Sequence, residues 1–230
     1  HYHKDYRELL NFVAETYKES KAFILKHKNK GEVSYENISF RAFRDDAFAI
    51  GTAMLKKGWH GKRIAVVGPN SYNWMATFFA TLGGVGTTVP LDRGLPYEEL
   101  ESSLARSYAD VLVFDETTHK EMVEKLKADG KTLVKEYISM KELEGYENLN
   151  DLREQGKKAL EEGFEDYKTV PIDEKAVTIL LFTSGTTSMS KAVMLSQQNI
   201  LSNVKAMEAT ENFIHGDINM AFLPYHHTFG

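Results

Sequence analysis

The feature that most narrows what this chain can fold into is an interval without charge: between Arg63 and Asp92 stand 28 residues, none of them Asp, Glu, Lys or Arg. On length alone such a stretch is long enough to cross a bilayer as a helix. Its internal punctuation argues against that. Gly68-Pro69-Asn70-Ser71 and Gly83-Gly84 divide it into three pieces, and Thr77, Thr81, Thr87 and Thr88 dilute its apolar character. The pieces read as a strand over residues 63–67, a helix over 71–82 and a second strand over 85–89, all buried, with no transmembrane segment. Strand, helix and strand in succession predict parallel pairing, because the crossover brings the chain back to start a strand in the same direction.

The alternation extends to both sides. Tyr6, Leu9, Leu10, Val13 and Tyr17 recur at spacings of three and four, which predicts an amphipathic opening helix. Phe40, Phe43, Ala47, Ile50 and Met54 mark a second helix over residues 39–57 that stops at Gly58. Pro96 suits the first turn of a helix over 96–108, and residues 111–114 form a short apolar strand. Residues 117–168 are rich in Lys and Glu, with apolar islands at 132–134 and 137–140, and read as exposed helices with one more strand. With no repeat and no Gly/Ser or Pro-rich linker, the chain is expected to be one α/β unit: a mainly parallel sheet flanked by helices on both faces.

Composition closes off several functions. With 42% hydrophobic residues in 230, the chain can bury a sizeable core. Twenty-eight Lys and Arg against 33 Asp and Glu, with no basic run, give no surface suited to tracking phosphates, so no nucleic acid partner is expected. The absence of cysteine removes disulfides, thiolate nucleophiles and Cys-based zinc sites. Charges at Lys4, Asp5, Arg7 and Glu8 fall where a secretory signal would place its apolar core, so the expected location is cytoplasmic.

The segment with the most chemistry is the apolar run over residues 177–182 followed by Thr183-Ser184-Gly185-Thr186-Thr187-Ser188-Met189-Ser190-Lys191. Small residues let backbone N–H groups approach an anion, hydroxyls add donors that can also face a metal, and Lys191 adds positive charge. Each property suits a nucleotide triphosphate, although an ordinary polar turn between strands remains the competing reading. The common P-loop does not fit: Ser190 stands where that motif has glycine, and Ala192 where it has Ser or Thr.

The sextet Phe182-Thr183-Ser184-Gly185-Thr186-Thr187 resembles the signature loop of the adenylate-forming enzymes, the superfamily of acyl-CoA synthetases, peptide-synthetase adenylation domains and luciferases. The resemblance extends over Val33-Ser34-Tyr35, Arg63-Ile64-Ala65-Val66-Val67, Pro69-Asn70-Ser71, Val89-Pro90-Leu91-Asp92 and Val193-Met194-Leu195-Ser196-Gln197, in the same order and spacing. It implies that Thr183, Ser184, Gly185, Thr186, Thr187, Ser188 and Lys191 embrace the phosphates of ATP, with Thr183 facing Mg²⁺ and Lys191 neutralising charge. The sequence departs from the family at Ser188 and Ala192, where glycine is usual, and at Ser190, where proline is usual.

A second segment, Phe222-Leu223-Pro224-Tyr225-His226-His227-Thr228-Phe229-Gly230, reads as a short strand ending at a proline and then two histidines. Without the family, adjacent histidines read more simply as surface or capping residues. By resemblance it is the acyl-pocket motif, with His227 beside the carboxylate that becomes the acyl-adenylate.

The likeness is strongest to fatty acyl-CoA synthetases, which implies a fatty acid or other carboxylic acid as substrate and coenzyme A as the acceptor of the acyl group. An amino-acid or aryl-acid adenylation domain, a non-catalytic nucleotide- or acyl-binding relative and an interaction module are the alternatives. Family members continue well beyond the position of Gly230. Residues 1–230 are therefore expected to be a partial N-terminal domain, catalytically silent alone, whose exposed apolar faces favour a homodimer.

Overall fold

The computed structural model of the chain describes residues 2–183, 190–210 and 214–227. Helix α1 (Tyr6–Tyr17) is capped by the Asp5 carboxylate, which accepts from the Glu8 N–H. Strands β1 (Lys21–Asn29) and β2 (Glu32–Ser39) form an antiparallel hairpin that the sequence pattern did not announce. Ser39 then caps α2 (Phe40–Lys56).

The uncharged interval folds as β3 (Arg63–Val67), α3 (Tyr72–Ala80) and β4 (Thr87–Leu91), with β3 and β4 parallel as expected. Its joints differ from the expectation. After Ala80 a π-type turn over Thr81–Val85 carries Gly84 at φ 136°, a backbone that glycine takes readily and other residues do not. The strand then starts two residues late, because Gly86 lies so close to the Lys62 carbonyl that a Cβ would collide with it.

The chain continues through α4 (Tyr97–Ser107), β5 (Val111–Phe114), α5 (Glu116–Asp129), β6 (Glu136–Ser139), the two-residue β7 (Glu147–Asn148), α6 (Leu149–Glu161) and the single turn α7 (Asp166–Thr169). Strands β8 (Val177–Thr183) and β9 (Lys191–Ser196) and helix α8 (Gln197–Thr210) complete the described elements. The seven strands of the main sheet run β7-β6-β5-β3-β4-β8-β9, all neighbours parallel except β8 and β9.

Successive side chains of a strand point to opposite faces, and here both faces are covered. Ile64, Val66, Val111 and Val113 enter a core with α2, α3 and α6. Ala65, Val67, Leu112 and Phe114 enter a second core with Leu100 and Leu104 of α4 and Val123 and Leu126 of α5. A third cluster of Tyr6, Leu82, Ile179 and Leu201 ties α1 and α8 to β8.

Three expectations need correction. The charged region does not only form exposed helices: α6 buries Leu149, Leu152, Gly156 and Ala159, and Gly156 sits against the Ala49 carbonyl of α2. Its charges occupy the outer side of an amphipathic helix, and the stripe at spacings of three and four is diluted by small residues. That region also holds two strands instead of one, and the island at 132–134 contributes buried Val134 to the core without joining the sheet. Finally, residues 222–223 are not a strand. Their backbone groups turn to a side chain: Asn70 Nδ2 donates to the carbonyls of Ala221 (3.2 Å) and Leu223 (2.6 Å). Among the described residues no helix is long and apolar enough to cross a membrane.

Candidate functional site

In open parallel sheets, ligands meet the loops that leave the carboxyl ends of the strands. Here β3 ends into Gly68-Pro69-Asn70-Ser71, β4 into Asp92-Arg93, and β8 at Thr183. The registers pair Val67 with Leu91 and Thr88 with Ile179; four residues further along β4 and β8 lie Asp92 and Thr183, which share one level of the sheet. Two groups of side chains gather at this edge.

The first surrounds the ends of the hydroxyl-rich segment. Thr183 and Lys191 are direct partners in the antiparallel ladder, so the segment between them connects two paired strands, and its ends are held at one point. A P-loop instead passes from a strand into a helix. Both side chains are exposed, and Thr183 Oγ1 donates to the Lys191 carbonyl over a long 3.4 Å, which leaves its oxygen lone pairs available. Ser184, Gly185, Thr186, Thr187 and Ser188 lie outside the described residues.

A cation that the sequence did not single out stands at the same place. Arg106, in the last turn of α4, donates through Nη2 to the Ser190 carbonyl (2.6 Å) and through Nη1 to Ser190 Oγ (3.2 Å). Its guanidinium lies 5.4 Å from the centre of the Phe182 ring. Two of the departures from the family pattern thereby acquire a physical reading. Ala192 is an ordinary ladder residue opposite Phe182, and neither it nor Ser190 has a positive φ, so neither position strains a non-glycine backbone. Where a proline would stiffen the chain, Arg106 fastens Ser190. The third departure, Ser188, lies outside the described residues.

The second group is the histidine turn. Tyr225 packs on Trp74 of α3 with ring centres 5.5 Å apart, and its N–H donates to Asn70 Oδ1 (3.0 Å). His226 Nε2 lies 3.5 Å from Asp92 Oδ2, and the His227 N–H donates to the Pro224 carbonyl (3.1 Å), closing a tight turn. Thr228, Phe229 and Gly230 lie outside the described residues.

Burial pushes the His226 imidazole below its usual 6.5; Asp92 pulls it back up, and His227 and Arg93 press it further down. The net direction is downward, so at neutral pH the contact with Asp92 is a long one to a neutral ring and not a formed ion pair. Beneath it, buried His119 of α5 holds the Arg93 carbonyl through Nε2 (3.1 Å), and burial lowers its pKa as well.

The structure thus sets Thr183 beside Lys191 and anchors the turn carrying His227 to the ends of β3 and β4. Asp92, as the first charge after the uncharged interval, and Asn70, inside its punctuation, were open to sequence reasoning; Arg106 carries no local signal. Among the described residues no cluster of three His, Cys, Asp or Glu side chains is arranged to hold a metal ion. Thr183 offers one hard oxygen, the donor type that Mg²⁺ takes alongside phosphate oxygens.

Residues 12–230 match the AMP-binding enzyme family. The chain is 27% identical over 214 residues to long-chain-fatty-acid–CoA ligase 5 of Rattus norvegicus, covering 85% of this chain and 31% of that protein. A CoA ligase of Gibberella moniliformis is 28% identical over 170 residues, 74% of this chain and 26% of that one. The chain therefore spans between a quarter and a third of the length of these two curated relatives. Among solved structures, a long-chain-fatty-acid–CoA ligase from Archaeoglobus fulgidus superposes with a TM-score of 0.74 at 25% identity, covering 91% of this chain and 40% of that one.

Proposed function

Because the chain belongs to the AMP-binding enzyme family, we propose that it forms the phosphate-binding edge and one wall of the acid site of an AMP-forming fatty acyl-CoA ligase. The observation that carries this reading is the Thr183–Lys191 pair, which closes the hydroxyl-rich segment at the carboxyl edge of the parallel sheet.

In the proposed reaction an oxygen of the fatty acid carboxylate attacks the α-phosphorus of ATP, the bond to the β-phosphate breaks, and pyrophosphate leaves. The thiol of coenzyme A then attacks the acyl carbon and AMP departs with the bonding pair. No covalent bond to the protein forms, so the protein's task is positioning and charge neutralisation. In this reading Lys191 faces the β- and γ-phosphates, and Ser184, Gly185, Thr186, Thr187 and Ser188 supply backbone and hydroxyl donors. Thr183 would offer its oxygen to Mg²⁺, which would supply positive charge to neutralise the phosphates. His227 lines the place of the carboxylate.

We further propose that residues 1–230 are part of an N-terminal domain that does not turn over by itself, given the share of its relatives' length that it spans. A cytoplasmic location and self-association through the free edge of β9 and its exposed Met194 belong to the same reading; sedimentation as a monomer alone would remove the second.

The decisive assay follows AMP release by the full-length protein from ATP, Mg²⁺ and coenzyme A across fatty, aryl and amino acids. Release that requires both a fatty acid and coenzyme A is the expected result. Pyrophosphate release with amino or aryl acids that ignores coenzyme A would replace this reading with an adenylation domain, and no turnover with any acid with a non-catalytic relative.

A further inference from the structure

Asn70 makes three hydrogen bonds to a segment more than 150 residues later in the chain. Its Nδ2 donates to two carbonyls, Ala221 at 3.2 Å and Leu223 at 2.6 Å, and its Oδ1 accepts from the Tyr225 N–H at 3.0 Å. The side-chain amide thus does for residues 221–225 what a neighbouring strand would do, satisfying donors and acceptors on alternate residues. Among the described residues few other polar contacts hold this segment. Met220 and Phe222 are mostly in solvent, and residues 214–223 form no helix or strand. Only after the Asn70 contacts does it turn inward, with Tyr225 on Trp74 and His226 beside Asp92.

Asn70 is itself well placed to be rigid. It precedes the α3 N-cap Ser71, whose hydroxyl accepts from the Trp74 N–H, and follows buried Gly68 at the end of β3. The next residues are fixed too, since Asn73 Nδ2 donates to the Met140 carbonyl (2.8 Å).

We propose that Asn70 is the positioning residue of the histidine turn: its amide clamps residues 221–225 to the end of β3 and so sets where His226 and His227 stand at the site edge. The role at the acid site rests on the function proposed above; the clamp does not. An amide is required in both its halves. Aspartate keeps the acceptor for Tyr225 but has no donors for the two carbonyls, and alanine has neither.

The test uses the chain as it is, in three forms: wild type, Asn70→Ala and Asn70→Asp. Amide hydrogen exchange and the NMR titrations of His226 and His119 are followed in each. Alanine is expected to speed exchange of the Tyr225 amide by about tenfold or more, as local opening of a segment held by few contacts, and to raise the His226 titration toward 6.5 as the ring loses its burial. His119, held separately under Arg93, keeps its lowered titration, and aspartate falls between the other two forms. Unchanged Tyr225 exchange in Asn70→Ala, or a His119 titration that shifts together with His226, would overturn the local clamp. Adding octanoate with ATP and Mg²⁺ and reading the His227 signal tests the acid-site role separately. No response from His227, with the clamp verified, would remove that role and leave the clamp standing.

Discussion

Through the middle of the sheet, Ile64, Val66, Val111, Leu112, Val113 and Phe114 are all fully buried, whereas beyond β8 the chain leaves Met194, Ile218, Met220 and Phe222 two-thirds or more exposed. The two regions carry similar residue types, and β9 with Met194 belongs to the same sheet, yet only the first region is covered on both faces. Hydrophobic burial is proportional to area removed from water, so the stability of the described structure resides in β3, β4, β5 and their helices. The candidate phosphate segment hangs from the other region, where β9 pairs on one side only among the described residues. The candidate site lies at the boundary: β3 and β4 provide buried strand ends, and β8, β9 and the histidine turn bring their groups to them.

Matched deletions break or sharpen this comparison. Phe114→Ala, in the covered half, is expected to lower unfolding stability by about 3–5 kcal/mol, readable in urea denaturation. Gly156→Ala comes next: its methyl would collide with the Ala49 carbonyl, forcing α6 off α2 at a cost of about 1–3 kcal/mol. A loss as small as that of a surface substitution would contradict the close contact between these helices.

Arg106→Ala should leave the melting temperature nearly unchanged while reducing affinity for ATP with Mg²⁺ by about threefold to tenfold, because it releases the Ser190 end of the segment and removes a cation. Acidification acts next. His226 and His119 have pKa values below 6.5 in the folded protein, so the unfolded chain binds more protons as pH falls. The stability they contribute is complete above 6.5 and is lost as pH drops through their lowered values. Replacing His119 with Gln should flatten the part of the pH–stability curve that His119 contributes. Smallest of all, Phe222→Ala should change stability by no more than about 0.5 kcal/mol; a loss near that of Phe114→Ala would show that the open region is packed after all.

Much of the covered half was legible in the sequence. The uncharged interval folds as the strand, helix and strand its pattern predicted, and Gly68-Pro69 and Gly83-Gly84 mark its joints, although β4 starts after Gly86, which approaches the Lys62 carbonyl. The hairpin β1–β2 was not legible, because its exposed strands carry Lys, His, Asn and Glu where a half-buried strand would alternate. The buried side of α6 was masked by the Lys and Glu around it. Of the candidate site, Thr183, Lys191 and the histidine pair were singled out by motif, since they lie in short segments of distinctive composition. Arg106 and the Asn70 clamp were not, because they act across 84 and more than 150 residues of chain and exist only once the sheet brings those segments together.

The central claim is that the Thr183–Lys191 segment at the carboxyl edge of the sheet receives the phosphates of ATP. Its most direct test is calorimetric titration of ATP with Mg²⁺ into this chain and its Lys191→Ala variant at constant ionic strength. Saturable binding by the wild type, weakened about tenfold or more by the loss of the Lys191 charge at an unchanged melting temperature, is the predicted result. Binding of equal strength in both proteins, or none in the wild type, would contradict it.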